Sequence, residues 1–169
     1  MQNPTTMKKN IIILSLLIPF SGYCQNLVNN SSFESFNTCP PQIGLGFTTY
    51  ISYADNWDYY QLTPDYFNSC SAGNASVPNN YLGTQTASTG IAYAGFSAFQ
   101  DIFVNNAREG ILVKLSDTLQ VGVKYYCSFK INLADSSVWA CNKVGMLFHT
   151  KYTQECNPPY FRTAFITTN

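Results

Sequence analysis

Lys124-Tyr125-Tyr126-Cys127-Ser128-Phe129-Lys130-Ile131-Asn132-Leu133 is the stretch on which the fold class turns. Tyr125, Cys127, Phe129, Ile131 and Leu133 occupy every second position. A period of two puts them on one face of a strand and Lys130, Asn132 and their neighbours on the other. It is the clearest strand in the chain. Past a loop at residues 134–142, residues 143–150 repeat the pattern with Val144, Met146 and Phe148, and read as the antiparallel return. On such a face Cys127 is predicted to be a buried core thiol.

Strand signals continue outward from this pair. Residues 109–115 alternate Ile111, Val113 and Leu115, and residues 117–122 turn the chain. Residues 91–96 and 47–53 read as strands, and residues 161–167 as the start of another. Leu27-Val28 and Phe33 read as a first strand interrupted by Asn29-Asn30. Residues 71–90, rich in Ser, Gly, Asn and Thr around Val77-Pro78-Asn79-Asn80, read as a long surface loop. No segment beyond the N-terminal leader carries a helical stripe. Seven or eight short strands joined by polar loops predict an all-β, antiparallel sandwich or barrel.

Composition agrees. Only 11% of the 169 residues are charged, while Tyr and Phe number 12 each. That is the profile of an exported β protein and not of a charged helical bundle. The net charge is zero and no basic run follows Lys8-Lys9, which argues against a nucleic-acid partner.

Residues 57–70, Trp57-Asp58-Tyr59-Tyr60-Gln61-Leu62-Thr63-Pro64-Asp65-Tyr66-Phe67-Asn68-Ser69-Cys70, crowd five rings into a loop or short edge strand, because Pro64 and Asn68-Ser69 forbid a long helix. Rings placed so have two uses. They plug one end of a core, or they offer flat faces to a ligand. In the second case Trp57, Tyr59, Tyr60 and Tyr66 would stack on a sugar and Asp65 would bind its hydroxyls. Buried rings would favour the first use, and exposed coplanar rings the second.

Lys8-Lys9 followed by the apolar run 11–20 and Ser21-Gly22-Tyr23-Cys24 has the form of a signal peptide cleaved after Cys24. The run is too short to span a bilayer, and no other stretch could. Lipidation at Cys24 is the rival reading, opposed by Tyr23 where a small residue belongs. Residues 25–169 then form a single domain, whose formal charge becomes −2 once Lys8 and Lys9 are lost. Of its five cysteines, Cys39 and Cys70 both lie in loop-like sequence and are the expected disulfide. Cys141 and Cys156 are a weaker second pair. The spacing excludes a cysteine metal motif, and His149 is the only histidine. No catalytic set emerges: His149 sits on a strand face, and Gly95-Phe96-Ser97-Ala98-Phe99 breaks the nucleophile-elbow pattern. Arg108-Glu109 reads as an ordinary ion pair.

Asn26-Leu27-Val28-Asn29-Asn30-Ser31-Ser32-Phe33-Glu34 resembles the opening of galactose-binding-like jelly rolls, a group that includes many carbohydrate-binding modules. Leu119-x-x-Gly122-x-x-Tyr125-x-x-Ser128-Phe129 resembles a central strand of the same fold. Cys39-Pro40, Trp57, Pro64-Asp65-Tyr66-Phe67-Asn68-x-Cys70, Val77-Pro78-Asn79-Asn80, Gly83-x-Gln85, Gly90-x-Ala92-Tyr93-x-Gly95 and Arg108-Glu109 follow in order. The series is similar to the N-terminal domain of exported Bacteroidota proteins that continue into an outer-membrane-protein-A-like domain or a type IX sorting tail. The resemblance implies a jelly roll at the cell surface or outside the cell, binding glycans without catalysis or serving as a structural or adhesive spacer. It also implies a structural calcium held in part by Glu34. Domains of this kind run on to a Trp-containing strand and a closing Gly-rich strand absent before Thr168-Asn169, so the last strand or two and a C-terminal partner domain are expected to be missing.

Overall fold

The computed structural model describes residues 25–44, 48–100 and 107–150, and the backbone of 165–167. The expected leader, Cys24 included, lies outside the described residues, as does Cys156. The described residues are almost all strand and loop. The one helical element is a 3-10 turn at Ile51–Tyr53. The strands among the described residues are β1 (Trp57–Gln61), β2 (Asp65–Asn68), β3 (Asn79–Asn80), β4 (Gly83–Thr84), β5 (Ala92–Gly95), β6 (Gly110–Lys114), β7 (Leu147–His149) and β8 (Phe165–Thr167). They make three small open sheets: β1-β6-β8-β7, the β2-β5 pair and the β3-β4 hairpin. The larger sheet is mixed, with β1 antiparallel to β6 but β8 parallel to both β6 and β7, where the sequence predicted antiparallel pairing throughout.

β6 is an inner strand, paired with β1 on one side and β8 on the other. Gly110, Ile111, Leu112 and Val113 are buried in succession, so both faces are covered and the chain reads as an apolar run, not an alternation. Ile111 joins Ile51, Ala54, Tyr66 and Ala92 in the main core, against Phe33, Phe36, Tyr50, Tyr53, Trp57 and Tyr59. On the other face Leu112 packs with Tyr60 and Leu147. Val113 and Leu115 pack with Leu27, Val28 and Met146. The N-terminal segment is fixed there by a Val28–Leu115 bridge and by Ser116 N–H donating to the Leu27 carbonyl at 2.9 Å. Phe67 stacks on Tyr93 across the β2-β5 pair, with centroids 5.1 Å apart, above Ile43 and Ala75.

Two segments depart from the expected strands. The described part of 47–53 closes as the 3-10 turn, because Tyr53 and Ala54 amides reach back to Tyr50 and Ile51 carbonyls. The Thr49 hydroxyl accepts from Ile51 N–H and donates to the Pro64 carbonyl, so local bonds outcompete a ladder. The larger departure is at 124–133, which forms no strand and is exposed along its whole length. Its polar side chains are anchored: Lys130 Nζ donates to Ser88 Oγ at 2.8 Å, and Asn132 bonds Gln85. Asp135 accepts from Thr84 N–H at 2.8 Å, and Ser136 N–H donates to the Leu82 carbonyl at 3.1 Å. The alternating face is thus real, but Phe129, Ile131 and Leu133 look outward, with no ladder partner among the described residues. Cys127, expected in the core, is an exposed free thiol for the same reason. The return at 143–150 shrinks to β7, which pairs with β8 and not with 124–133.

The 71–90 loop holds more structure than expected. Ala75 is buried, and Asn80 donates to the Ser76 carbonyl and the Tyr93 hydroxyl, pinning the β3-β4 hairpin on β5. The expected Cys39–Cys70 disulfide is present, with a Cα–Cα separation of 6.0 Å.

Candidate functional site

The ring stretch folds as β1, a tight turn and β2, so its side chains split between opposite environments. Leu62 takes φ +56 in the turn, a strained value for a leucine, and Pro64 behind it is fully buried. Trp57 is half-buried. Its ring stacks on Phe33 with centroids 4.4 Å apart, and its Nε1–H donates to the Asn30 carbonyl at 2.8 Å. Tyr66 is fully buried. Its hydroxyl donates to the Phe33 carbonyl at 2.8 Å and accepts from Asn68 Nδ2 at 2.7 Å. Tyr59 packs against the main core from β1, while Tyr60, one residue on, is buried on the opposite face with Leu112. The five expected ligand residues therefore do not converge on one surface. Alternation along β1 separates Tyr59 from Tyr60, and each described ring has an internal use.

Asp65 is also turned inward. Its Oδ1 accepts the Gly44 amide at 2.5 Å. Burial pushes its carboxyl up to about 7, the Gly44 amide opposing and the charge of Glu109 assisting. Glu109, expected beside Arg108, points into the same region. Its Oε1 accepts from Thr63 N–H at 3.2 Å and its Oε2 from Ser97 N–H at 2.6 Å. Burial raises it as well, against those hydrogen bonds. Arg108 lies over the Phe99 ring at 5.0 Å and donates to the Ala98 carbonyl.

A carboxyl held above its unfolded value is protonated more readily in the folded chain. The folded state then binds more protons than the unfolded one between about pH 4 and 7, and stability falls as pH rises through that window. The displacement amounts to about 4 kcal/mol unscreened, and partial solvent contact reduces it to about 2. Asp65→Asn keeps the acceptor for Gly44 and removes the charge. It is expected to raise stability by about 2 kcal/mol at pH 8 and to change it little at pH 4, by urea unfolding at both values. Equal stabilisation at the two pH values would show that ionisation is not the cause.

Glu34 is held by backbone amides. Its oxygens accept from Ile91 N–H at 3.0 and 3.1 Å and from Ala92 N–H at 3.2 Å. The carboxylate lies where a side chain at Gly90 would be, a position with φ +65 that suits glycine twice over. Among the described residues no three His, Cys, Asp or Glu side chains come together in a way that could hold a metal. Glu34, the expected calcium ligand, ties the N-terminal segment to the start of β5.

One surface cleft of about 280 Å³ is lined by Gln25, Leu27, Asp117, Thr118, Gln120 and Tyr125. The Leu27 wall is fixed by the Leu115–Ser116 contacts already described. The opposite wall is the turn: Asp117 Oδ1 accepts from Thr118 N–H at 2.7 Å, Gln120 Nε2 donates to the Thr118 carbonyl at 3.1 Å, and Gln120 N–H donates to the Tyr125 hydroxyl at 2.9 Å. None of these residues stood out in the sequence as a ligand group, because Asp-Thr-Leu-Gln reads as a turn and Tyr125 as core. No helix of the described residues is long and apolar enough to cross a membrane. No family model matches the chain, and neither the curated proteins nor the solved structures hold a significant match to it.

Proposed function

We propose that the chain is an exported, non-enzymatic module of the cell surface, built on a jelly-roll-type sandwich of the kind its motifs resemble, and acting as a structural or adhesive domain of an envelope protein. The observation that carries this reading is the internal use of Trp57 and Tyr66: one ring is stacked on Phe33, the other fully buried, and both polar atoms are paired within the chain. A ligand platform in this stretch needs free ring faces, whereas a framework needs what is found. The Cys39–Cys70 disulfide accords with export.

The adhesive side of the proposal rests on the exposed apolar residues that follow β6. Val121, Tyr126, Val138 and Trp139 are each more than four-fifths exposed. Exposed aromatic and branched side chains such as these are the groups through which such a domain would meet a partner. The test is co-sedimentation with isolated cell envelopes. The processed wild-type chain is expected in the pellet, and Tyr126→Ser with Trp139→Ser is expected to move it to the supernatant. These side chains lie on the surface, so the double change is expected to leave the unfolding free energy within about 0.5 kcal/mol. Equal sedimentation of the two proteins would contradict an adhesive role for this surface.

A further inference from the structure

We infer that the exposed stripe along residues 123–133 is a self-association surface, on which a second copy of this chain packs face to face about a two-fold axis at Cys127. The inference goes beyond the envelope role proposed above, and its test uses neither Tyr126 nor Trp139, so the two can fail separately.

The stripe is held in place before any partner arrives. Val123, Tyr125, Phe129, Ile131 and Leu133 are each 40–61% exposed, and Cys127 among them is an exposed free thiol. They fall at every second residue and so share one face. The rest of the segment is tied down along residues 82–88. Lys130 bonds Ser88, Asn132 bonds Gln85, Asp135 bonds Thr84 and Ser136 bonds Leu82, in antiparallel order. At the other end the Gln120 amide donates to the Tyr125 hydroxyl at 2.9 Å and steadies that ring. Less ordering entropy is then lost on association.

Three observations select a second copy as the occupant. The first is symmetry. Read outward from Cys127 in either direction, the stripe meets an aromatic ring, Tyr125 or Phe129, and then a branched aliphatic, Val123 or Ile131. A two-fold axis at Cys127 sets Tyr125 against Phe129 of the second copy, ring on ring, and Val123 against Ile131, aliphatic on aliphatic. That is the self-complementarity an isologous contact requires, and cysteine on the axis is small enough to meet its own copy. The second observation is charge. No position of the stripe is charged, so it does not repel itself and selects no ionic partner. The third is area. At these exposures the stripe presents roughly 500 Å² per copy, and two copies cover roughly 1,000 Å², the size at which specific interfaces begin.

Charge also decides how the copies meet. Edge-to-edge pairing in the same register would set Lys124 opposite Lys130 of the second copy, like charge against like, and would leave both stripes in water. Face-to-face packing covers the stripes and leaves Lys130 on Ser88.

The test is sedimentation equilibrium of the processed chain, free of its apolar leader, from about 1 to 100 μM, where a dimer dissociating in the micromolar range is expected. Ile131→Asp sets a carboxylate against apolar side chains and is expected to weaken the dimer at least about 100-fold, with an unchanged unfolding midpoint because the residue lies on the surface. Adding Val123→Lys to Ile131→Asp is expected to recover at least about tenfold of the affinity, since the two positions face each other only across the axis. Cys127→Ser is expected to dimerise as the wild type does, because the stripe and not the thiol carries the contact. In the wild type a short bismaleimide is expected to join Cys127 to Cys127 of the second copy, identified by peptide mapping. A monomer at about 100 μM, or a dimer that Ile131→Asp leaves unchanged, would overturn the inference. Loss in Ile131→Asp with no recovery in the double variant would overturn the two-fold register about Cys127.

Discussion

Replacing Tyr66 by alanine is expected to cost the domain about 3–5 kcal/mol of stability. The side chain is fully buried in β2, in the cluster that joins the 3-10 turn to β5 and β6. Truncation would leave a cavity walled by Ile51, Ala54, Ala92 and Ile111, on strands whose registers are already fixed by pairing. It would also strip the Phe33 carbonyl of its 2.8 Å donor and buried Asn68 of its 2.7 Å acceptor. Tyr66→Phe separates the two contributions. It keeps the packing and loses only the hydrogen bonds, so a smaller loss of about 1–3 kcal/mol is expected. Equilibrium urea unfolding of the two variants measures both. A Tyr66→Ala loss below about 1 kcal/mol would mean that the β2 face is not core.

The second large effect is on the Cys39–Cys70 bridge. Its ends are 31 residues apart, and the closed loop contains the 3-10 turn, β1 and β2. Constraining a loop of that length stabilises by about 3–4 kcal/mol on the chain-entropy account. Cys70 is exposed, so reductant reaches the bond without global unfolding. Changing both cysteines to alanine is expected to lower stability by that amount, and reduction of the wild-type chain to lower it equally. The Asn68 Oδ1 that accepts from Cys70 N–H at 2.9 Å holds the end of β2 with or without the bridge, so the fold should persist at low temperature. Unchanged urea midpoints under oxidising and reducing conditions would contradict this.

Local chemistry made some of the molecule legible from the sequence. The disulfide was readable because both cysteines sit in turn-forming sequence, and β5 and β6 were readable because apolar residues cluster between turn residues. The 57–70 stretch could be narrowed to two uses, plug or platform, but not decided, since Trp57 and Tyr66 find Phe33 and Asn30 only through long-range packing. The 124–133 stretch failed for the converse reason. Period-two alternation reports a two-faced segment, but a strand also needs a neighbour to complete its ladder. Here the even side chains settle on Gln85 and Ser88 while Phe129, Ile131 and Leu133 stay exposed. Glu34 and Asp65 were recognised as special, but their partners are the backbone amides of Ile91 and Gly44, for which the sequence carries no pattern. The cleft was invisible because it joins residues 25–27 to 117–125, and its residues read singly as leader boundary, turn and core.

The central claim is that the ring stretch is framework and not a ligand platform, and Trp57→Ala tests it most directly. Trp57 is stacked on Phe33, hydrogen-bonded to the Asn30 carbonyl and packed against both the main core and the Val113–Leu115 cluster. Its removal should therefore loosen the N-terminal segment and β1 together. Urea unfolding of the variant is expected to show a loss of about 3 kcal/mol relative to wild type, as for a core aromatic. A loss below about 0.5 kcal/mol, accompanied by weakened glycan binding, would contradict the account and return the site to residues 57–66.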